Sequence, residues 1–372
     1  MGARTRRHTA VNPVDTAAIT YRVTVIIPTY NGVKYLIPCL ESLRRQTFTA
    51  FRVIVVDDGS TDDTAAILRR DFPAVGIVRF ARNGGLARAQ NAGIAATESE
   101  FVAVLNNDTE AEPTWLERLV AAADKQPDAW AVAGKLRLWD RRDVLHAAGD
   151  GFGTDGVPRN LGVWERDCGQ WDDGRWIWGP QGGAALFRRA ALLALSVPGI
   201  GSPYDESFFM YCEDVDLNWR ARLAGLVTAF APDAAVYHHL SATAGGPLAS
   251  YYAGRNMLAV LIKDVPLPLI RRYWPQMLAA QWRFARESLQ HIREPAARAR
   301  LSGQCAIVPM IPALWRQRRV VYDGTRAEMA DLDALLYAPE REYARIGGYA
   351  AIAVDAVAGG NREGSARDAV RG

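Results

Sequence analysis

Three carboxylates fall within four positions of this chain, Glu213, Asp214 and Asp216, directly after the aromatic residues Phe208, Phe209 and Tyr211. Val215, Leu217, Trp219 and Leu223 follow at spacings that leave room for an apolar helix face. Asp216 and Arg220 sit four apart, as the partners of a surface helix ion pair do. Glu213 and Asp214 then lie at the helix N-terminus, where the helix dipole favours a charged carboxylate. An ionised carboxylate beside an apolar wall is what a general base requires. The competing use of the same residues is to cap the helix.

A second set of polar residues recurs after short apolar runs rich in β-branched residues. Residues 23–28, 51–56, 75–80, 101–105 and 129–134 read as buried strands. Between them stand helices: one carrying Leu36, Leu40 and Leu43 and ending near Gln46, one over 62–70, one that includes Arg88 and Asn91, and one over 114–125 with Pro113 at its first turn. This alternation with short connections predicts a doubly wound, parallel α/β sheet with helices on both faces. Such sheets bind ligands at the carboxyl ends of their strands. Asp57, Asp58, Asn83, Asn107 and Asp108 all lie just past strand ends, so they converge on one rim. The glycines form no G-x-G-x-x-G, and there is no P-loop lysine motif. A dinucleotide oxidoreductase or an ordinary NTPase is therefore poorly supported.

Regularity is lost over 149–183, where Trp164, Trp171, Trp176 and Trp178 cluster. Tryptophan density argues against disorder. The segment either stacks its rings on a sugar or packs itself down. A strand over 182–187, a helix over 188–195 and a loop over 198–207 lead back to the acidic helix. Two short strands, 227–231 and 234–238, end at His238-His239. A helix over 250–263 contains Tyr251, Tyr252, Arg255 and Asn256. A second amphipathic stretch, 269–291, mixes Trp274, Met277, Leu278, Trp282 and Phe284 with Arg271, Arg272, Arg283 and Arg286. It reads as a helical cover on the sheet or as a helix lying on a membrane surface.

With 372 residues the chain allows one large domain or two ordinary ones. The net charge of +3 is too small to imply nucleic-acid binding. Cys39, Cys168, Cys212 and Cys305 are scattered without a C-x-x-C, which suggests neither a disulfide frame nor a zinc site and fits a reducing cytosol. The first residues hold no apolar core of signal-peptide length, and no apolar run reaches the ~18 residues of a membrane span. The expected organisation is a flexible arm over 1–21, a catalytic domain over 22–247, a helical extension over 248–338 and a mobile tail over 339–372.

VTVIIPTYNG, VVDDGSTDDT, the turn and helix from Asn83 to Asn91, VAVLNNDTE followed by Trp115-Leu116, YDESFFMYCEDVDLNWR and VYHHLSAT occur in that order. Together they resemble the family 2 inverting glycosyltransferases of the GT-A fold, in particular the bacterial rhamnosyltransferase-type branch, over roughly residues 22–257. The resemblance implies a mostly parallel central sheet flanked by helices, and sugar transfer from a nucleotide-diphosphate sugar to a glycan or lipid-linked acceptor, with peripheral membrane contact. It implies that Pro28, Thr29, Tyr30, Asp57 and Asp58 hold the nucleotide with Asn83 and Asn107 beside them. It assigns Asp214 as the catalytic base, and sets Glu213, Trp178 and Arg255 toward the diphosphate or acceptor. Asp108, with His238, would hold a divalent cation, Mg²⁺ or Mn²⁺. Asn106-Asn107-Asp108 departs from the pattern, since many relatives carry two carboxylates there. A sugar-phosphate nucleotidyltransferase would want a glycine-rich basic signature near the first strand, which Thr29-Tyr30-Asn31-Gly32 lacks; a non-catalytic nucleotide-sugar binder would not need Asp58, Asp108 and Asp214 all present.

Overall fold

The computed structural model describes residues 21–197, 201–239 and 246–338. Nearly all of the expected N-terminal arm, the expected tail and the serine and threonine after the histidine pair lie outside the described residues.

The first half alternates as the apolar runs require. β1 (Val23–Thr29), α1 (Val33–Arg44), β2 (Phe51–Asp57), α2 (Thr64–Asp71), β3 (Gly76–Arg79), α3 (Leu86–Ala95) and β4 (Phe101–Leu105) are followed by a short β5 (Thr109–Ala111), α4 (Trp115–Lys125) and β6 (Ala129–Leu138). β1 and β4 are buried along their whole length because helices cover both faces of the sheet. Leu36, Leu40 and Leu43 of α1 pack with Trp115 and Leu119 of α4 on one face. Ala87 and Ile94 of α3 pack on the other.

Beyond β6 come β7 (Leu145–Ala147), β8 (Asp150–Phe152), β9 (Pro158–Asn160), β10 (Ala184–Arg188), α5 (Arg189–Ala194), α6 (Glu213–Leu223) and β11 (Val227–His238). The sheet order is β3-β2-β1-β4-β10-β6-β11-β5. β1, β2, β3 and β4 run parallel, but β10 lies antiparallel between β4 and β6. The sheet is therefore mixed, where the alternation alone predicts an unbroken parallel run. Instead of crossing back over a helix, the chain leaves β6 through β7 and the β8–β9 hairpin, and returns to the sheet from the opposite end. The two strands expected over 227–238 are one, β11, with an irregularity between Phe230 and Ala235 that accommodates Pro232.

The C-terminal part is helical: α7 (Gly246–Lys263), α8 (Leu267–Gln290), α9 (Pro295–Ala306), α10 (Ile311–Asp323) and α11 (Met329–Leu335). α7 and α9 cross closely because Gly303 lies where a Cβ would come within 2.1 Å of the Tyr251 carbonyl oxygen. These helices and the sheet domain enclose α6. Leu217 and Ala221 face the sheet-side core. Val215, Trp219 and Leu223 face a third core with Val260, Met277, Leu314 and Leu332. Covered on both sides, α6 leaves only Asp214 partly exposed, so the Asp216–Arg220 pair expected at the surface is buried.

Candidate active site

The loops after β1, β2, β3 and β4 meet through side-chain hydrogen bonds. Asp58 accepts the Gly84 and Gly85 N–H groups at 2.9 and 2.8 Å, and its own N–H donates to the Thr29 carbonyl. Asn107 donates to the Thr29 hydroxyl at 2.9 Å. Asn31 accepts from the Thr61 N–H at 2.8 Å. Asn83 accepts the Gly85 N–H at 3.0 Å. Burial raises the Asp58 carboxyl above the usual range, against the two glycine N–H groups and the charge of Arg88. Tyr30 presents its ring to solvent, 48% exposed, at the mouth of this rim. Pro28 and Thr29 are buried in the end of β1. Asp57 is wholly buried, accepting the Ser60 N–H and pairing with Arg79 at 3.2 Å. It shapes the rim and offers no face to a ligand.

α6 carries the acidic cluster to this rim and fastens the tryptophan-rich segment. Asp214, Asn218 and Arg222 lie on successive turns of one face. Asp214 accepts the Gly182 N–H at 2.9 Å, Asn218 donates to the Pro180 carbonyl at 3.0 Å, and Arg222 donates to the carbonyls of Trp178 and Ile177 at 2.6 and 2.7 Å. Asp214 also accepts the Val215 N–H at 2.8 Å, so both oxygens have a main-chain donor. It remains partly exposed, whereas Glu213 is buried with one oxygen unpartnered. Burial raises the Asp214 carboxyl despite its main-chain donors. Burial, then the neighbouring Asp214 charge, pushes Glu213 well above its ordinary value. Of this adjacent pair, Asp214 is the one ready to carry charge and to meet a solvent-borne hydroxyl.

Asp216 points the other way. Its carboxylate pairs with Arg220 at 2.8 Å and with Lys263 of α7 at 2.6 Å, and Lys263 also holds Asp205 at 2.8 Å. Burial alone would raise Asp216, but the charges of Arg220 and Lys263 outweigh it and hold the carboxyl at about 2.

The residues before α6 adopt a backbone that side-chain-bearing residues avoid. Phe209, Tyr211 and Cys212 have φ of 65°, 65° and 62°. Each such residue costs ~1–2 kcal/mol relative to the right-handed region.

At the end of β4, Asp108 lies 3.2 Å from His238 Nε2. His238 Nδ1 is 3.0 Å from His146 Nδ1, and His146 Nε2 is 3.2 Å from the Asn160 amide nitrogen. The amide nitrogen can only donate, so His146 accepts at Nε2 and donates from Nδ1. His238 then accepts at Nδ1 and donates from Nε2 to Asp108. Burial, then the neighbouring His238, lowers His146 to about 3, consistent with a neutral ring in this chain. Among the described residues no group of three or more His, Cys, Asp and Glu side chains is gathered as a metal cage. A carboxylate at a ligand-binding rim still suits a hard divalent cation whose other ligands are water and phosphate oxygens, as Mg²⁺ sites often are. Asp108 fits that part. His238 directs an N–H at Asp108 and would have to give up that proton to become a ligand.

The model for "Glycosyl transferase family 2" matches residues 24–193. Over this region the chain is similar to glycosyl transferase family 2. The chain is similar to an N-acetylglucosaminyl-diphospho-decaprenol L-rhamnosyltransferase of Mycobacterium tuberculosis, 29% identical over 266 residues, which are 62% of this chain and 80% of the relative. It is also similar to glycosyltransferase GlyG of Streptococcus pneumoniae, 28% identical over 156 residues. That match takes in 40% of this chain and about half, 51%, of the pneumococcal protein. The fold matches the crystal structure of Staphylococcus aureus TarS 1-349 with a TM-score of 0.50 at 22% identity, covering 88% of this chain and 93% of that one.

Two residues expected in the site sit elsewhere. Trp178 is buried, its ring 4.4 Å from that of Trp219 and 5.9 Å from that of Phe152, so it has no face left for a sugar. Trp171 and Trp176 are buried too, which decides for a segment packed on itself. Arg255 gives one nitrogen to the carbonyls of Ser207 and Phe208 and another to Asn256; it braces the loop before α6. Sequence reasoning missed Asp150 of β8. This carboxyl is buried with one unpartnered oxygen, and burial, then the charges of Asp214 and Glu213, push it well above its ordinary value. Its only sequence signal is an acid in a glycine-rich stretch. His146 gave no motif-level signal at all.

Proposed function

We propose that this chain transfers a sugar from a nucleoside-diphosphate sugar to an acceptor hydroxyl with inversion at the anomeric carbon. The observation that carries this reading is Asp214, a partly exposed carboxylate held by two main-chain N–H groups at the start of α6. Its Gly182 contact lies just before β10, and β10 pairs with β4, the strand that leads to Asp108. Asp214 accepts the proton of the acceptor hydroxyl, whose oxygen attacks the anomeric carbon as the bond to the diphosphate breaks on the opposite face. Tyr30, Thr29 and Asp58 shape the nucleotide pocket. A divalent cation held by Asp108 would neutralise negative charge on the leaving diphosphate. The UDP complex known for TarS and the decaprenol-linked substrate in the mycobacterial relative's name support a nucleotide donor and a lipid-linked glycan acceptor in envelope or polysaccharide assembly. Peripheral contact with the cytoplasmic face of a membrane goes with that reading. No helix among the described residues is long and apolar enough to cross a bilayer, but α8 exposes Trp274, Leu278, Trp282 and Leu289 on one outward stripe. Four unpaired cysteines accord with a reducing compartment.

The test is transfer by the purified chain from UDP-, dTDP- and GDP-sugars with Mn²⁺, with the product's anomeric configuration read by NMR. An α-linked donor should give a β-linked product. Retention of configuration, or no transfer with any donor and a lipid-linked acceptor, overturns the reading. Asp108→Ala should abolish metal-dependent donor binding while the fold survives; unchanged donor affinity in Mn²⁺ would remove Asp108 from the metal site.

A further inference from the structure

The loop that delivers Asp214 is held in its disfavoured shape by a helix of the C-terminal extension, α7. Phe209 has φ 65° and ψ −63°, and the Met210 N–H donates to the Phe208 carbonyl at 2.8 Å. This is the three-residue turn of the rarer, strained hand. Tyr211 and Cys212 continue in the left-handed region, and none of the three is glycine. Such a run persists only where its surroundings over-determine it.

Those surroundings centre on Asn256 of α7, which is buried. Its amide nitrogen lies 2.9, 2.9 and 2.7 Å from the carbonyl oxygens of Phe208, Met210 and Tyr211. Two N–H groups thus gather three carbonyls of the strained turn. Arg255 Nε donates to the Asn256 side-chain oxygen at 2.8 Å. A guanidinium cannot accept, so this contact fixes which end of the amide faces the loop. The Phe209 ring stacks on Tyr252 of the same helix, with centroids 4.8 Å apart and planes 13° from parallel. On its far side the turn meets the donor rim: the Phe209 carbonyl accepts the Ala87 N–H at 3.2 Å, and a Cβ on Gly85 would come within 2.6 Å of the Phe209 ring and carbonyl.

We propose that Asn256 is a positioning residue for the reaction: its amide locks the 208–212 turn so that Asp214 stands at the rim. The turn, Asp214 and α7 all lie beyond the matched residues 24–193, so the base is set by a helix from the helical extension. The inference rests on Asp214 being the base.

Asn256→Ala in the full chain should lower kcat about 10²-fold, the scale of a small misplacement of a reacting group. Donor affinity by calorimetry should stay within about two-fold, since donor binding needs no base. Asn256→Ser keeps a donor and packs less disruptively; it should fall in between and covers the case in which the alanine variant does not fold. The decisive measurement is a second-site change. Glycine takes left-handed φ without a steric cost, so Cys212→Gly added to Asn256→Ala should recover about ten-fold or more of the lost kcat, while Cys212→Gly alone gives no gain. Loss of kcat and donor affinity together, with no recovery on adding glycine, would make Asn256 merely structural and overturn the proposal. Asp214→Asn is measured alongside. If it retains a near-normal rate the base assignment fails; if it is inactive while Asn256→Ala is normal, only the positioning inference fails.

Discussion

At the donor rim, Asp58 meets the Gly84 and Gly85 N–H groups and Thr29 meets Asn107, each contact joining loops that leave adjacent strands. At the proposed base, Asp214 reaches its place through a strained turn, a helix buried but for Asp214 itself, and a lysine from α7. The rim follows from strand ends and turns; the base depends on tertiary packing. On the proposed function, a nucleotide binds to a region that is nearly self-supporting, while the proton acceptor is set by elements far along the chain. Experiments that separate binding from chemistry should find that boundary.

The largest effect expected is that of Asp214→Asn, which keeps the size of the side chain but can accept only one of the two main-chain N–H groups and cannot accept the proton. Transfer should slow by ~10²–10⁴-fold, with donor affinity unchanged by calorimetry. A parallel loss of donor affinity would merge the two regions.

Lys263→Met should come next, as a loss of stability. It leaves Asp205 and Asp216 facing an apolar side chain, and breaking a buried pair from one side costs about 3–5 kcal/mol. Denaturant unfolding checks this, and the pH dependence sharpens it. Asp216 is depressed to about 2 when folded, so its contribution is complete above the unfolded value of ~3.9 and is lost as pH falls toward 2. Asp150 and Glu213 act with opposite sign. Their raised folded values mean that the folded chain holds their protons, so stability falls as pH rises above their ordinary range. Asp150→Asn should flatten that decline.

A smaller effect belongs to the rim. Asp58→Asn exchanges a charged acceptor of two N–H groups for an amide, a loss of about 1.5–3 kcal/mol if it falls wholly on donor binding. Calorimetry should find weaker donor binding with kcat at saturation little changed. The smallest effect on the folded chain is that of Trp282→Ala with Leu278→Ala on α8. Both side chains are mostly solvent-exposed, 67% and 60%, so stability should move by no more than about 0.5 kcal/mol. Flotation with anionic vesicles at low salt should nonetheless lose the bound fraction. No binding by the unaltered chain would leave α8 a cover and nothing more.

The same boundary separates what the sequence makes legible from what it does not. β4 (Phe101–Leu105) falls where its apolar run ends, and β1, β2 and α4 lie within a residue or two of their expected limits, because strand and helix periodicity is a local property. The rim residues follow, since they are what stands after each strand. The base helix also begins where the acids predict. Its surroundings do not follow from spacing: Asp216 and Arg220 are four apart on an exposed helix and on a buried one alike. Trp178 could stack on a sugar or on Trp219, and only the fold decides between them. Asp150, His146 and Asn256 each lie far in sequence from the groups they meet, so no local pattern marks them.

The reversed insertion of β10 has a consequence for how the chain is made. By the time residue 105 has left the ribosome, β1, β2, β3 and β4 can already pair side by side. The other flank of β4 has no partner until Ala184–Arg188 arrives, and β6 waits for the same strand. Through that interval the nascent chain carries an open, wholly apolar strand edge, the kind of surface that recruits other chains. Closing it is the event that turns a half-sheet into a finished one. A product terminated shortly before Ala184 would keep its donor-rim loops yet aggregate along β4.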